Sequence, residues 1–211
     1  KPLHYWKIRA NDPRMKRNLR KSLVGFLVIG SVTFFAPYSA DAQDWVFKKY
    51  PPTNDSSRFM NDMNNLRRQI RRALNHSVPN LCFQNVHTGR SGSLDSLRGN
   101  VLLLDFWNMR CGVCKDEMPE LHKVQSEFGK SGFILLTLSP DDAVTQQLYF
   151  RVNELTKEGI AGMLDLATVP YPFQGWAVPM TYLIDRNGVL RHVWFGKADP
   201  KELGLRIRKL L

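Results

Sequence analysis

The stretch Val101-Leu-Leu-Leu-Asp-Phe-Trp-Asn-Met-Arg-Cys-Gly-Val-Cys-Lys-Asp-Glu-Met-Pro119 joins an apolar run to a cysteine pair. From Val101 to Trp107 the run is broken only by Asp105, the pattern of a short strand buried on both faces. Cys111-Gly-Val-Cys114 follows at once and opens a helical pattern that turns Met118, Leu121, Val124 and Phe128 inward. A C-x-x-C pair lets two sulfurs meet across one turn, so a disulfide closes with little backbone movement. At a helix N-terminus the first cysteine faces unpaired N–H groups and the positive dipole end, which favour the thiolate. The alternative is half of a zinc site, but no second Cys/His pair stands at a suitable spacing, and Cys82 with scattered histidines does not supply one. No metal is expected. Asp105 is expected to be buried, and a buried carboxylate needs a reason; a structural hydrogen-bond acceptor is one. Glu117, three residues beyond Cys114, lies on a nearby helix face or is a plain exposed glutamate.

Outward from this segment, Val78-Pro79 leads into a short strand over Leu81 to Val86, and His87-Thr-Gly-Arg-Ser-Gly92 reads as a turn. Leu94 to Leu97 suggests one helical turn ended by Gly99. Phe133 to Leu138 is a second buried strand, and a helix runs from about Asp142 to Gly159 as its stop. A loop rich in Pro, Gly and aromatics (Val169 to Val178) precedes strands at Met180 to Ile184 and Val189 to Phe195, joined across Asp185-Arg-Asn-Gly188, a hairpin signal. Asp199-Pro200 caps a last helix. Strands alternating with helices, closed by a hairpin, give an α/β class with a central mixed β-sheet flanked by α-helices.

Upstream, Lys16, Arg17, Arg20 and Lys21 precede the apolar run Ser22 to Ala36, then Pro37 and Ala40-Asp41-Ala42. These are the three zones of a secretory signal peptide, with cleavage expected after Ala42. The run of about 15 residues is short of the ~20 of a spanning helix, so an uncleaved N-terminal anchor is the lesser alternative. Residues 1–42 thus read as an upstream extension (1–14) and signal peptide, residues 43–77 as a linker and amphipathic helix, and residues 78–211 as the folded domain. The helix places Phe59, Met63, Leu66, Ile70 and Leu74 on one face and Arg67, Arg68, Arg71 and Arg72 in its last turns, where they oppose the helix dipole. Such a helix packs on the domain with a solvated Arg face, or binds a membrane. The formal net charge of +11 invites a nucleic-acid partner, but residues 1–42 hold 8 of the 30 Lys and Arg against Asp12 and Asp41. Over half of the surplus belongs to the leader, and no nucleic-acid partner is expected. An exported chain meets a compartment where disulfides persist, yet three cysteines are too few for a stapled scaffold.

The segment from Leu104 to Pro119 resembles the thioredoxin active site, and is most similar to the TlpA/ResA-like group, the thiol–disulfide reductases of cytochrome c maturation. The resemblance covers about residues 78–211. It also rests on Val78-Pro79, Leu97-Arg-Gly-Asn-Val-Leu-Leu-Leu104, Glu117-Met118-Pro119 and Val178-Pro179-Met-Thr-Tyr-Leu-Ile-Asp-Arg-Asn-Gly188. It implies a thioredoxin fold and a redox-active disulfide Cys111–Cys114 without further cofactor. Cys111 is then the exposed attacking thiolate and Cys114 the buried resolving thiol. Pro179 becomes a cis-proline, with the Val178 backbone placed to pair with a substrate strand; the alternative is a simple edge proline. Asp105, six residues before Cys111, resembles the buried acid that relays a proton to the second cysteine, and Glu117 resembles a glutamate that ResA-like proteins keep near their cysteines. Trp107 and Arg110 join Val178 and Pro179 as expected substrate-binding residues. Pro119 is expected to kink the helix. The group usually has Trp where Arg110 stands and Pro where Val113 stands, and a guanidinium beside Cys111 favours the thiolate.

Cys82 is expected as a small buried or half-buried residue, His87 and His122 at the surface, and Trp176 at the border of the substrate groove or in the core. The expected function is an exported, periplasmic or otherwise extracytoplasmic protein-disulfide reductase. The resemblance implies disulfide-bearing clients, apocytochromes among them, and a membrane thiol electron donor, with membrane association only if the leader stays uncleaved. Alternatives are an exported oxidase or isomerase of the same fold, or a non-catalytic copper or metal carrier. Such carriers use a C-x-x-x-C pair, one residue longer. A peroxidase is disfavoured because no Thr-x-x-Cys pattern occurs.

Overall fold

A computed structural model describes residues 56–155, 159–173 and 178–211. The leader, the linker and Trp176 lie outside the described residues. Seven strands form one sheet: β1 Cys82–Asn85, β2 Ser91–Ser93, β3 Val101–Phe106, β4 Phe133–Ser139, β5 Ile160–Met163, β6 Met180–Ile184 and β7 Leu190–Phe195. The helices are α1 Ser56–Arg72, α2 Gly112–Phe128, α3 Ala143–Val152 and α4 Pro200–Arg208. The strand order is β2-β1-β5-β4-β3-β6-β7. β3, β4 and β5 are parallel to one another, and the remaining pairings are antiparallel.

This order decides which helix covers which face. The steps β3 to β4 and β4 to β5 move in the same direction across the sheet, and right-handed crossovers then put both connecting helices on one face. α2 and α3 accordingly touch: the Tyr149 hydroxyl donates to the Lys115 carbonyl at 3.2 Å, and the His122 and Phe150 ring centroids lie 5.7 Å apart. α4 lies over the same face through Leu203 and Ile207. Among the described residues no crossover helix reaches the other face. It is closed by α1, through the fully buried Ile70 with Leu66, by Ala73 and Leu74 in the turn after it, and by Leu164, Val169 and Phe173. α1 therefore packs on the core of the domain, one of the two alternatives that the sequence left for it. Ser77 also bridges Val189. Arg68, Arg71 and Arg72 at the C-terminal end of α1 are exposed.

Two strands were absent from the sequence expectation. β2 is a three-residue polar edge, Ser-Gly-Ser, with no apolar alternation to announce it. β5 is only four residues, and its lead-in explains why helix α3 stops at Val152 rather than at Gly159. Gly159 has φ +88°, and a Cβ there would stand 2.9 Å from the Leu135 carbonyl oxygen. The residue is therefore the bend that admits β5 beside β4, not a helix stop. α4 is capped as expected: Asp199 accepts from the N–H groups of Lys201 and Glu202 at 2.8 and 3.1 Å, with Pro200 in its first turn.

Candidate redox site

β3 ends by handing the chain to a short turn that carries the first cysteine. Trp107 N donates to the Leu138 carbonyl at 3.1 Å, the last ladder bond. Asn108 then shapes the turn, its side chain accepting from Arg110 N at 3.0 Å and its carbonyl from Cys111 N at 3.1 Å. Asp141, just past β4, accepts from Met109 N at 2.7 Å and from the Ser139 hydroxyl at 2.8 Å. Asn108 and Asp141 thus position the redox loop. The sequence reading did not single them out, although a polar pair directly after two buried strands was the available signal.

Cys111 is the N-cap of α2, with φ −84° and ψ 101°, and its Sγ accepts from Cys114 N at 3.1 Å. The two sulfurs are bonded to each other, with the Cα atoms 5.3 Å apart. Cys111 is half-buried while Cys114 is 2% exposed. One sulfur is open to attack, and the other faces Trp107, Met118 and Phe150. Arg110 and Val113 are exposed at the rim.

Beneath α2, Asp105 is buried at 1% exposure and accepts from the Thr181 hydroxyl at 3.0 Å. Register places Thr137 of β4 and Thr181 of β6 opposite Asp105, so a polar row crosses three strands. Loss of hydration pushes the Asp105 carboxyl up to about 7, the neighbouring Glu117 adds to the rise, and the Thr181 hydrogen bond opposes it. Glu117 is 2% exposed and not the exposed helix glutamate that was one of its two sequence alternatives. Its Oε1 accepts from Ala198 N at 2.8 Å, and Oε2 has no hydrogen-bond partner among the described residues. Burial raises its pKa; the Ala198 N–H and the charge of Lys197 pull the other way. The sequence separation of 81 residues between Glu117 and Ala198 hid this contact from the sequence.

The Val178–Pro179 bond is cis, as is Tyr171–Pro172. Val178 is half-buried and packs, like Cys111, against the Trp107–Met118 cluster. The Pro179 carbonyl accepts from Gly196 N at 3.0 Å, which fixes the loop to the end of β7.

Several expectations need correction. Trp107, expected at the substrate surface, is fully buried against Tyr149 and Phe150, at 5.0 and 5.7 Å between ring centroids. It supports the cysteine turn from below and offers a client no surface. His122, expected outside, is 7% exposed because α3 lies along that side of α2; burial lowers its pKa to about 4, so the ring is neutral at pH 7. Cys82 is exposed. The signal was present: Leu81 and Phe83 take the inward positions, and strand alternation turns Cys82 out. Pro119 sits within α2, which continues to Phe128. It has no N–H for the Lys115 carbonyl, and the Tyr149 hydroxyl takes that place.

The profile of the AhpC/TSA family matches residues 74–193. The chain is 25% identical over 119 residues to thioredoxin-like protein YneN of Bacillus subtilis, covering 55% of this chain and 68% of that one. It is 23% identical over 132 residues to thiol-disulfide oxidoreductase ResA of Geobacillus thermodenitrificans, covering 62% and 74%. Among solved structures, a putative thiol:disulfide interchange protein DsbE from Chlorobium tepidum superposes with a TM-score of 0.56 at 21% identity, over 64% of this chain and 94% of that one. At that identity the likeness speaks for the fold: a thioredoxin-like sheet with its flanking helices.

Proposed function

The chain belongs to the AhpC/TSA family and is a thiol–disulfide oxidoreductase of thioredoxin-like fold, and from that premise we propose that it is an exported reductase of protein disulfides. The observation that carries the direction is the pair of buried carboxylates, Asp105 and Glu117, beneath the Cys111–Cys114 pair. Their described hydrogen-bond partners are neutral, the Thr181 hydroxyl and the Ala198 N–H. The fraction of Asp105 ionised at neutral pH, about half at a pKa of about 7, raises the cost of a thiolate nearby in this dry site, which disfavours the reduced form and makes the dithiol a better electron donor. Arg110 acts in the opposite sense, but its side chain is exposed and its field is screened by solvent.

In the forward reaction the Cys111 thiolate attacks one sulfur of a client disulfide. A mixed disulfide forms, and the other client sulfur leaves as a thiolate that takes a proton from water. The Cys114 thiol then gives its proton to the Asp105 carboxylate and attacks the Cys111 sulfur. This closes the Cys111–Cys114 disulfide and releases the second client thiolate. A pKa of about 7 suits Asp105 to accept and return that proton near neutral pH. The client segment pairs with the backbone at Val178, beside cis Pro179, with Arg110 at its rim. The redox centre is this disulfide, with no other cofactor. Two electrons must then come from a thiol donor, for which a membrane dithiol protein is the proposed class; apocytochromes are the proposed clients. Export rests on the basic, apolar and small-residue zones of residues 16–42. Among the described residues no helix is long and apolar enough to cross a membrane.

The test is the reduction potential of the Cys111/Cys114 couple, measured by equilibration in dithiothreitol redox buffers. A reductase is expected below about −230 mV, on the thioredoxin side of the glutaredoxins. A value above about −180 mV would instead make the protein an oxidase or isomerase and end this assignment.

A further inference from the structure

We propose that the arginine-bearing C-terminal half of α1 is a docking site for an acidic segment of the client protein. The proposal builds on the oxidoreductase site described above and concerns which clients it accepts.

Strand register fixes where α1 stands. β3 runs toward the cysteine turn, so Phe106 marks the catalytic end of the sheet. Phe106 pairs with Met180, and Met180 pairs with Phe195, which puts Phe195 at the same end and Leu190 at the far one. The chain leaves α1 at the far end, where Asn75 N donates to the Leu190 carbonyl at 2.8 Å and Leu190 N to the His76 carbonyl at 3.0 Å. Arg67 has already reached the catalytic end, its guanidinium 5.6 Å from the centre of the Phe195 ring. The Tyr171 hydroxyl donates to the Gln69 carbonyl at 2.5 Å and ties this helix to the loop that leads to Val178.

Around Arg67 the described residues of α1 offer amides and guanidinium groups. Asn61, Asn64, Asn65, Arg67, Arg68 and Arg71 line a single concavity. Apart from the half-buried Arg67, these side chains are exposed. Arg68 donates to the Asn65 side chain at 2.5 Å, and among the described residues no carboxylate pairs with Arg67, Arg68 or Arg71. Asp62 is the one acidic residue of the helix. Guanidinium groups without a carboxylate partner among the described residues, with amide donors between them, match carboxylates, which accept in pairs. The place of Arg67 over Phe195, at the catalytic end of the sheet, favours an acidic stretch flanking the client's cysteine over a lipid surface.

The experiment compares two disulfide-bearing peptides that differ only in their flanks, one with three Asp/Glu residues and one with Ser. The full chain is expected to turn over the acidic peptide with a kcat/KM about tenfold higher at low salt, a preference that shrinks as salt is added. The R68E/R71E variant should lose or invert the preference while leaving the Ser-flanked peptide unchanged, and R68Q/R71Q should fall between; thermal melts confirm that both variants fold. Calorimetric binding of the same peptides, with their cysteines reduced, to the oxidised protein separates docking from the direction of electron flow. The idea is overturned if both variants keep the preference, or if the two peptides lose turnover together. It is equally overturned if the variants lose only their binding to phosphatidylserine vesicles.

Discussion

On β3, Leu102, Leu104 and Phe106 face α1, while Val101, Leu103, Asp105 and Trp107 face α2. The α1 side continues with Leu136, Leu138, Tyr182 and Ile184, a dry and almost wholly apolar layer. The α2 side begins the same way, with Leu103 flanked by Leu135 and Leu183. One step toward the cysteines it becomes polar, as Asp105 lies between Thr137 and Thr181 and below Glu117. One side spends its burial on stability; the other gives up some apolar burial to hold two carboxylates under a redox pair. The difference lies in side chains placed two residues apart on strands whose backbone is the same for both faces.

Substitutions that touch only one face can break this division. The largest effect is expected at the cysteines. Cys114→Ser should accumulate a stable mixed disulfide with client through Cys111, and Cys111→Ser should accumulate none while turnover falls by about three orders of magnitude or more. Non-reducing electrophoresis after mixing with a disulfide-bearing client reads both. Equal capture by Cys111→Ser would reverse the two roles.

Asp105→Asn should slow resolution of the mixed disulfide by about 100-fold at neutral pH, with little change in the first attack. The same variant tests the electrostatic account. A folded-state pKa raised from 3.8 to about 7 means that the native protein holds this proton more tightly than the unfolded chain does. The associated stability is fully present below pH 4 and is lost as the pH rises through 7. Asparagine resembles the protonated acid, so the variant should melt with the parent at pH 4 and above it at pH 8. The difference has an upper bound on the order of 4 kcal/mol. A gain independent of pH would mean that Asp105 does not titrate in this window.

Ile70→Ala, on the α1 face, should cost about 2–4 kcal/mol in denaturant unfolding, because a fully buried side chain leaves a cavity. It should leave the reduction potential within a few millivolts of the parent, where 30 mV is about 1.4 kcal/mol. A shift much larger than that would show that the two faces are coupled, and would tie α1 to the redox pair rather than only to the core.

Local sequence determined the parts whose signals are short-range. The apolar run from Val101, the C-x-x-C pair at its end, the Asn-Gly hairpin and the Asp199-Pro200 cap each act within a few residues, and each forms as its residues dictate. The burial of Asp105 was legible too, because a lone carboxylate inside an apolar strand has nowhere else to go. Tertiary structure alone decided what depends on distant partners. β5 exists because Gly159 lets four undistinguished residues lie along β4, and β2 because the hairpin from β1 pairs it. His122 is buried by α3, and Glu117 is held by an N–H 81 residues away. α1 joins the core because both crossover helices fall on the opposite face. Hydrogen bonds and periodicity within a segment can be read from neighbours in the chain; burial belongs to the packing of whole elements, and the strand order that sets it is written in no single stretch.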